Sequence, residues 1–192
     1  MGYGSRNISG PRWLHTGLME EIAGPEGEEA LAIDDIEAFK QTFRRHAAGV
    51  AAVTALDADG SPVGFTATSL ASLSAVPPMA TFNMARTSSS WGAMTVGNHV
   101  AIHTLGPSSR HLAERLAADQ DARFTGDHWT PGPFGVPILA GTTAWMLGTI
   151  IEVHPVHNNA VIIVQIDTGA LGDEDEALIY HERRYVRPGT TA

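Results

Sequence analysis

Between Gly64 and Pro78 the chain reads GFTATSLASLSAVPP, and five small hydroxyls (Thr66, Thr68, Ser69, Ser72 and Ser74) stand between a glycine and a Pro-Pro stop. On one regular strand Thr66, Thr68, Ser72 and Ser74 share a face, because strand side chains alternate with a period of two. Two readings of that face are open. It is the solvent side of an edge strand, for which threonine is a good former. Or it is a polar wall for a flat cofactor, which small hydroxyls and exposed backbone N–H groups suit. The stretch ARTSSSW, Ala85 to Trp91, carries the same ambiguity. Its three serines make an ordinary helix N-cap with Trp91 as first core residue, or they join Arg86 as donors to a phosphate.

The flanking sequence sets this stretch in a β-rich body. GVAAVTAL and the run after Gly64 are two extended segments joined by the turn DADG, as in a hairpin. MATFNMA, HVAIHTLG, TTAWMLGTIIEVH, AVIIVQIDTG and ALIYHERRYV read as further strands. Two helices are predicted. One starts at Asp34 or Asp35 as cap, carries Ile36, Phe39 and Phe43 at i, i+3, i+7, stops near Gly49 and packs on a core. The other is SSRHLAERLAAD, with Ser108 or Ser109 as cap and Leu112 and Leu116 at i, i+4. Six or seven strands with two helices that never alternate regularly predict a mainly β fold, an antiparallel barrel rather than a doubly wound sheet.

Composition bounds the rest. A chain of 192 residues, 43% hydrophobic and 17% charged, has the size and mix of one compact domain with a tail. Residues 1–32 mix Gly, Pro and Glu without periodicity and read as a largely looped extension. A short helix is expected near Leu18 to Ile22, with Trp13 and Leu14 free to dock on the body. The body is expected over 33–188 and a short C-terminal tail over 189–192. No apolar run reaches membrane-helix length, the start has no secretory pattern, and Arg6 spoils a myristoylation motif, so a soluble cytoplasmic protein is expected. Zero cysteines exclude disulfides, thiolate metal sites and a cysteine nucleophile. A net charge of −9 opposes nucleic-acid binding. Lys40 is the single lysine, so the other basic residues are arginines, which hold planar anions by paired bonds.

Several chemistries find no motif. His154 and His157, three apart on a predicted strand, fall on opposite faces, and no HxH or HExxH pair exists, so no metal site is expected. GxSxG, a Walker loop and GxGxxG are all missing.

The succession FTATSLASLSAVPPMATFNMARTSSSW, HLAERLA, RFTGDHWTPGPFGVPIL, AWMLGTIIEV and LIYHERRY resembles the flavin reductase-like family of FMN-binding split β-barrels, antiparallel and Greek-key-like. The resemblance runs from about Phe39 to Tyr185 and omits the tail. It implies an NAD(P)H:flavin oxidoreductase that passes hydride from NADH or NADPH to N5 of FMN or FAD. It also implies a homodimer that supplies reduced flavin to a partner monooxygenase. Carried over by position, Thr66, Ala67, Thr68 and Ser69 line the isoalloxazine edge and ribityl chain, and Ser72 and Ser74 continue that wall. Arg86, Thr87, Ser88 and Ser89 match the Arg-x-Ser-Ser segment at the flavin phosphate, with Trp91 packed behind it. Phe124 falls in the Asp-Lys/Arg-Phe-x-Gly motif beside the cofactor. No catalytic acid or base is implied. Before VIIVQI the family usually has Gly-Asp-His on the nicotinamide side, where this chain has His157, Asn158 and Asn159. That departure keeps a second expectation in play: a flavin-binding tailoring enzyme or flavin carrier that does not turn over NAD(P)H.

Overall fold

The computed structural model describes residues 35–189. The expected extension over 1–32, with its helix near Leu18 to Ile22, its docking Trp13 and Leu14 and the Asp34 cap, lies outside the described residues, as do 190–192.

The described chain is built on antiparallel strands. After helix α1 (Asp35–Arg45) come β1 (Ala48–Gly49), β2 (Ala51–Leu56), β3 (Pro62–Ala67), β4 (Ala71–Ala75), β5 (Pro78–Ala85) and β6 (His99–Thr104). Helix α2 (Arg110–Ala117) follows, then β7 (Trp129–Pro131), β8 (Pro137–Leu139), β9 (Ala144–Val156), β10 (Asn159–Leu171), β11 (Ile179–His181) and β12 (Arg184–Val186). A seven-stranded sheet runs β3-β2-β6-β9-β10-β5-β4, with small sheets β1-β11-β12 and β7-β8 beside it. Every pairing is antiparallel. No helix among the described residues is long and apolar enough to cross a membrane.

The sequence pattern explains the strands. Ala80, Phe82 and Met84 alternate inward along β5, and Ala160, Ile162 and Val164 do so along β10. They meet Val53, Val100, Ile102 and Ile150 in the main core. β2 lies between β3 and β6 and is buried on both faces, so it reads as an unbroken apolar run with Thr54, whose hydroxyl donates to Pro137 O at 2.6 Å. A second core forms where Leu112, Ala113 and Leu116 of α2 cover Ala52, Leu105 and Leu178. The turn DADG joins β2 to β3 as expected: Gly60 takes φ +82°, and Asp57 and Ser61 close it by an N–H to carbonyl bond of 2.9 Å.

The structure corrects four expectations. The run from Gly64 to Pro78 is not one strand: it breaks at Thr68–Leu70, and its halves β3 and β4 form the two opposite edges of the sheet. The sheet thus bends round until its ends approach, and Thr66, Thr68, Ser72 and Ser74 do not form one row. α1 does not bury its apolar stripe: Ile36, Phe39 and Phe43 are 67, 64 and 60% exposed. The helix is instead fastened at its C-terminal end, where Arg44 O accepts from Glu182 N–H and Arg45 O pairs with His181 Nε2. Ser109 precedes α2, but its hydroxyl turns back to Gly106, and the Ser108 N–H is capped by Asp175 Oδ2 at 2.9 Å. That bond holds the Asp175 carboxyl below its ordinary pKa. Finally, ALIYHERRYV is a hairpin of β11 and β12 rather than one strand, turning at Glu182 and Arg183, both at positive φ.

Candidate functional site

Four segments converge where the sheet's ends meet. The crossing Thr68–Leu70 leaves β3, and Ser69 fastens it to β5. Its hydroxyl accepts from Asn83 N–H at 2.9 Å and donates to Asn83 O at 3.2 Å. β5 runs on to Ala85 and into the turn of Arg86 to Ser90. That turn is closed by Ser88 N–H to Ala85 O and Trp91 N–H to Ser88 O, each 3.0 Å. The hairpin turn between β9 and β10 lies alongside, since Arg86 N–H donates to Asn158 O at 2.8 Å and Arg86 Nη1 to His157 O at 3.2 Å. Ser90, fully buried, donates from its hydroxyl to Gly64 O at 3.1 Å and ties the turn back to β3.

The hydroxyls of the opening stretch divide by use. Thr66 points away from the junction and donates to Ala113 O of α2 at 2.6 Å, which fixes the helix on the sheet. Ser69 holds the seam. Ser74 accepts from Val76 N–H at 3.2 Å and shapes its own turn. Thr68 and Ser72 are exposed and their hydroxyls make no hydrogen bond among the described residues, and Ala67 is buried beside Thr68. Ser72 pairs with Ala80 and Ser74 with Met79, while Asn159 pairs with Ala85. Ser72 and Ser74 therefore lie six and seven residues, roughly 20–23 Å, along β5 from Arg86. A ligand touching both groups has to extend along that strand.

The anion-binding character of the turn follows from what is left unused. Arg86 is exposed, its guanidinium carbon stands 5.7 Å from the Trp91 ring centroid, and a single one of its five N–H donors is engaged. The backbone N–H groups of Thr87 and Ser89 and the Thr87 hydroxyl have no partner among the described residues. Ser88 Oγ accepts from Ser90 N–H at 3.3 Å and keeps its own hydrogen to donate. A guanidinium with four of its five donors free, beside open amides and hydroxyls, fits a phosphate.

Phe124 lies on the other side of β3. Its Cζ sits 3.0 Å from where a Cβ on Gly64 would stand, and it packs edge-on to Trp129 with ring centroids 5.7 Å apart. Arg123, the residue before it, was not singled out from the sequence, yet it binds three elements. Its Nε and Nη2 donate to Ala118 O at 3.0 and 2.9 Å, and its Nη1 to Gly64 O at 2.8 Å and Ser89 Oγ at 3.1 Å. The signal was present in ARFTG, where the family motif has a basic residue at that place. His157 is in the turn at φ +50° rather than on a strand, so the opposite-face argument about His154 does not reach it. Asn158 and Asn159 are exposed, and the Asn159 side chain makes no hydrogen bond among the described residues.

With that geometry in place, known proteins can be set beside it. The model of the flavin reductase like domain matches residues 43–189. An NADH:FMN oxidoreductase of Rhodococcus erythropolis is 38% identical over 174 residues, 88% of each chain. The reductase subunit of a flavin-dependent monooxygenase of Rhodococcus jostii is 29% identical, over 87% of this chain and 85% of its own. The crystal structure of a flavin reductase domain protein from an Arthrobacter species superposes with a TM-score of 0.76 at 47% identity. That match covers 81% of this chain and 96% of the other. The expected resemblance and the expected split, antiparallel β architecture are both met, and the chain belongs to the flavin reductase-like family.

Proposed function

We propose that this chain is an NAD(P)H:flavin oxidoreductase that reduces a flavin and releases it to a partner flavin-dependent monooxygenase. The observation that carries this reading is the seam, where exposed Arg86, with one of its five donors engaged, and the open amides of Thr87 and Ser89 continue the strand to which Ser69, next to exposed Thr68, is tied. Arg86, Thr87, Ser88 and Ser89 hold the phosphate. Ala67, Thr68 and Ser69 present small side chains and backbone to the ring system, and Ser72 lies further along the same edge. Trp91 supports Arg86 from behind, and Phe124 fills the space under Gly64. When bound, the flavin supplies the redox chemistry by accepting hydride at N5 from the nicotinamide. The chain's task is to stack the two rings and offer N–H donors to charge that develops on the reduced ring. No side chain has to exchange a proton with either.

The turn His157, Asn158, Asn159 is the nicotinamide side, bonded through Arg86 to the phosphate side. Family membership and the oxidoreductase relatives support the activity, with NADH or NADPH as donor and FMN or FAD as acceptor. Anaerobic mixing of purified protein with FMN and either nicotinamide tests it through loss of nicotinamide absorbance. Retention of flavin with no such loss replaces this reading with that of a flavin carrier or tailoring protein. The chain pairs as a homodimer in this reading, and light scattering at micromolar concentration giving the monomer mass contradicts that part.

A further inference from the structure

A cavity of about 290 Å³ opens between β3 and the loop after α2, and Asp57, Ser89, Asp121 and Arg123 are among the residues that line it. It adjoins the proposed phosphate turn directly through Ser89. Arg123 is the one cation in its wall, and that guanidinium is already committed to Ala118 O, Gly64 O and Ser89 Oγ. Two carboxylates, Asp57 and Asp121, share that lining. Asp57 Oδ1 lies 3.1 Å from where a Cβ on Gly92 would be, hard against the end of the serine turn, and Asp121 is exposed. Neither makes an ion pair among the described residues. Arg86 does not line this cavity.

A mononucleotide ends at its single phosphate. A dinucleotide carries a second phosphate and an adenosine beyond it, and the space next to Ser89 is where they would go. There the second phosphate meets two like charges and a guanidinium with little left to donate. We infer that the chain selects its flavin by charge: it accepts FMN and disfavours FAD, with Asp57 and Asp121 as the residues that set the preference. This rests on reading Arg86 to Ser89 as the phosphate end. At a solvent-open site one such like-charge contact changes an equilibrium by roughly fivefold, less at high salt.

The test is a set of dissociation constants for riboflavin, FMN and FAD, read from flavin fluorescence. The proteins are the full chain, Asp121→Asn, Asp57→Asn, the double variant and Arg86→Ala. Asp121 is exposed, and asparagine at 57 keeps the oxygen that accepts from Ala58 N–H, so both replacements are compatible with the fold. The full chain is expected to prefer FMN over FAD by roughly tenfold or more. Each asparagine should narrow that ratio by roughly fivefold and leave riboflavin unmoved, and high salt should narrow it in the full chain and not in the double variant. Equal affinity of the full chain for FMN and FAD overturns the inference, as does an unchanged ratio in the double variant. If those results come with FMN weakened by Arg86→Ala, only the charge selection has failed. If FMN and riboflavin bind alike and Arg86→Ala changes neither, the phosphate reading itself has failed.

Discussion

Arg86 makes two kinds of contact, and one substitution separates them. Its backbone N–H and Nη1 hold the Asn158 and His157 carbonyls, its guanidinium lies over Trp91, and its remaining donors face outward. Arg86→Ala removes the outward donors and is expected to weaken FMN by about 1–3 kcal/mol, the range for a lost charge-assisted hydrogen bond. Riboflavin, which has no phosphate, should be nearly unaffected. Equal losses in a fluorescence titration would make Arg86 purely a support for the turn. Asn159 poses the complementary question. Its side chain is exposed and unbonded at the head of β10, one residue from the turn that Arg86 clasps. A histidine there adds an aromatic face and, when protonated, a positive charge toward a nicotinamide nucleotide, while asparagine keeps only hydrogen bonds. Stacking on the flavin is unchanged by the swap. Asn159→His should therefore lower KM for NADH with little change in kcat, and steady-state kinetics showing the reverse split would assign the position to the hydride step.

At the scale of elements, the seam depends on a hydroxyl rather than on strand pairing. Ser69 gives β3 its hold on β5 through both polar groups of Asn83, and nothing else on the crossing Thr68–Leu70 hydrogen-bonds to β5. Ser69→Ala is expected to cost about 1–2 kcal/mol, two hydrogen bonds at a half-buried site, and to weaken riboflavin and FMN alike because the wall moves rather than the phosphate donors. Urea denaturation with both ligands checks the pair of effects. This was not readable from the stretch itself. A period of two assumes one unbroken strand, and no glycine or proline marks the break at Thr68; what ends β3 is that β4 pairs with β5 across the molecule. The same limit applies to YHERRY, where Glu182 and Arg183 both adopt positive φ (47° and 64°) that a hairpin turn ordinarily draws from Gly or Asn. β5 and β10 were legible because their alternation is the core itself. The periodicity of α1 was real, but a stripe says nothing about what covers it.

Over the whole molecule, FTATSL and ARTSSSW are the motifs that meet at the seam, through Ser69 on Asn83 and the serine turn on Gly64, whereas LIYHERRY lies in the small sheet β1-β11-β12. Arg123 escaped because its role exists only once β3, the serine turn and the end of α2 have met, and Asn83 because its role exists only once the crossing after β3 reaches β5. A further group set by the assembled sheets is His103, fully buried on β6. Its Nε2 accepts from Leu139 N–H of β8 at 3.1 Å, and Nδ1 lies 3.3 Å from Ala52 O of β2, which requires the neutral ring with its proton on Nδ1. Burial lowers its pKa from 6.5 to about 4 against the opposing pull of that carbonyl. A second proton would have to sit on Nε2 and would face the Leu139 N–H donor to donor. The unfolded chain takes up this proton near pH 6.5 and the folded chain only near pH 4. Unfolding therefore binds a proton in that window, and the stability His103 confers is complete above it and lost as pH falls through it. The full loss is on the order of 3 kcal/mol, of which about 2 kcal/mol falls between pH 7.5 and 5. His128, whose pKa is lowered by burial and then by Arg115, adds a change of the same sign, so the contribution of His103 has to be read as a difference. His103→Gln keeps an acceptor and a donor without the titration. Urea midpoints measured at both pH values should fall more steeply for the wild-type chain than for the variant, and parallel falls would mean that His103 admits its second proton without opening β8 from the sheet.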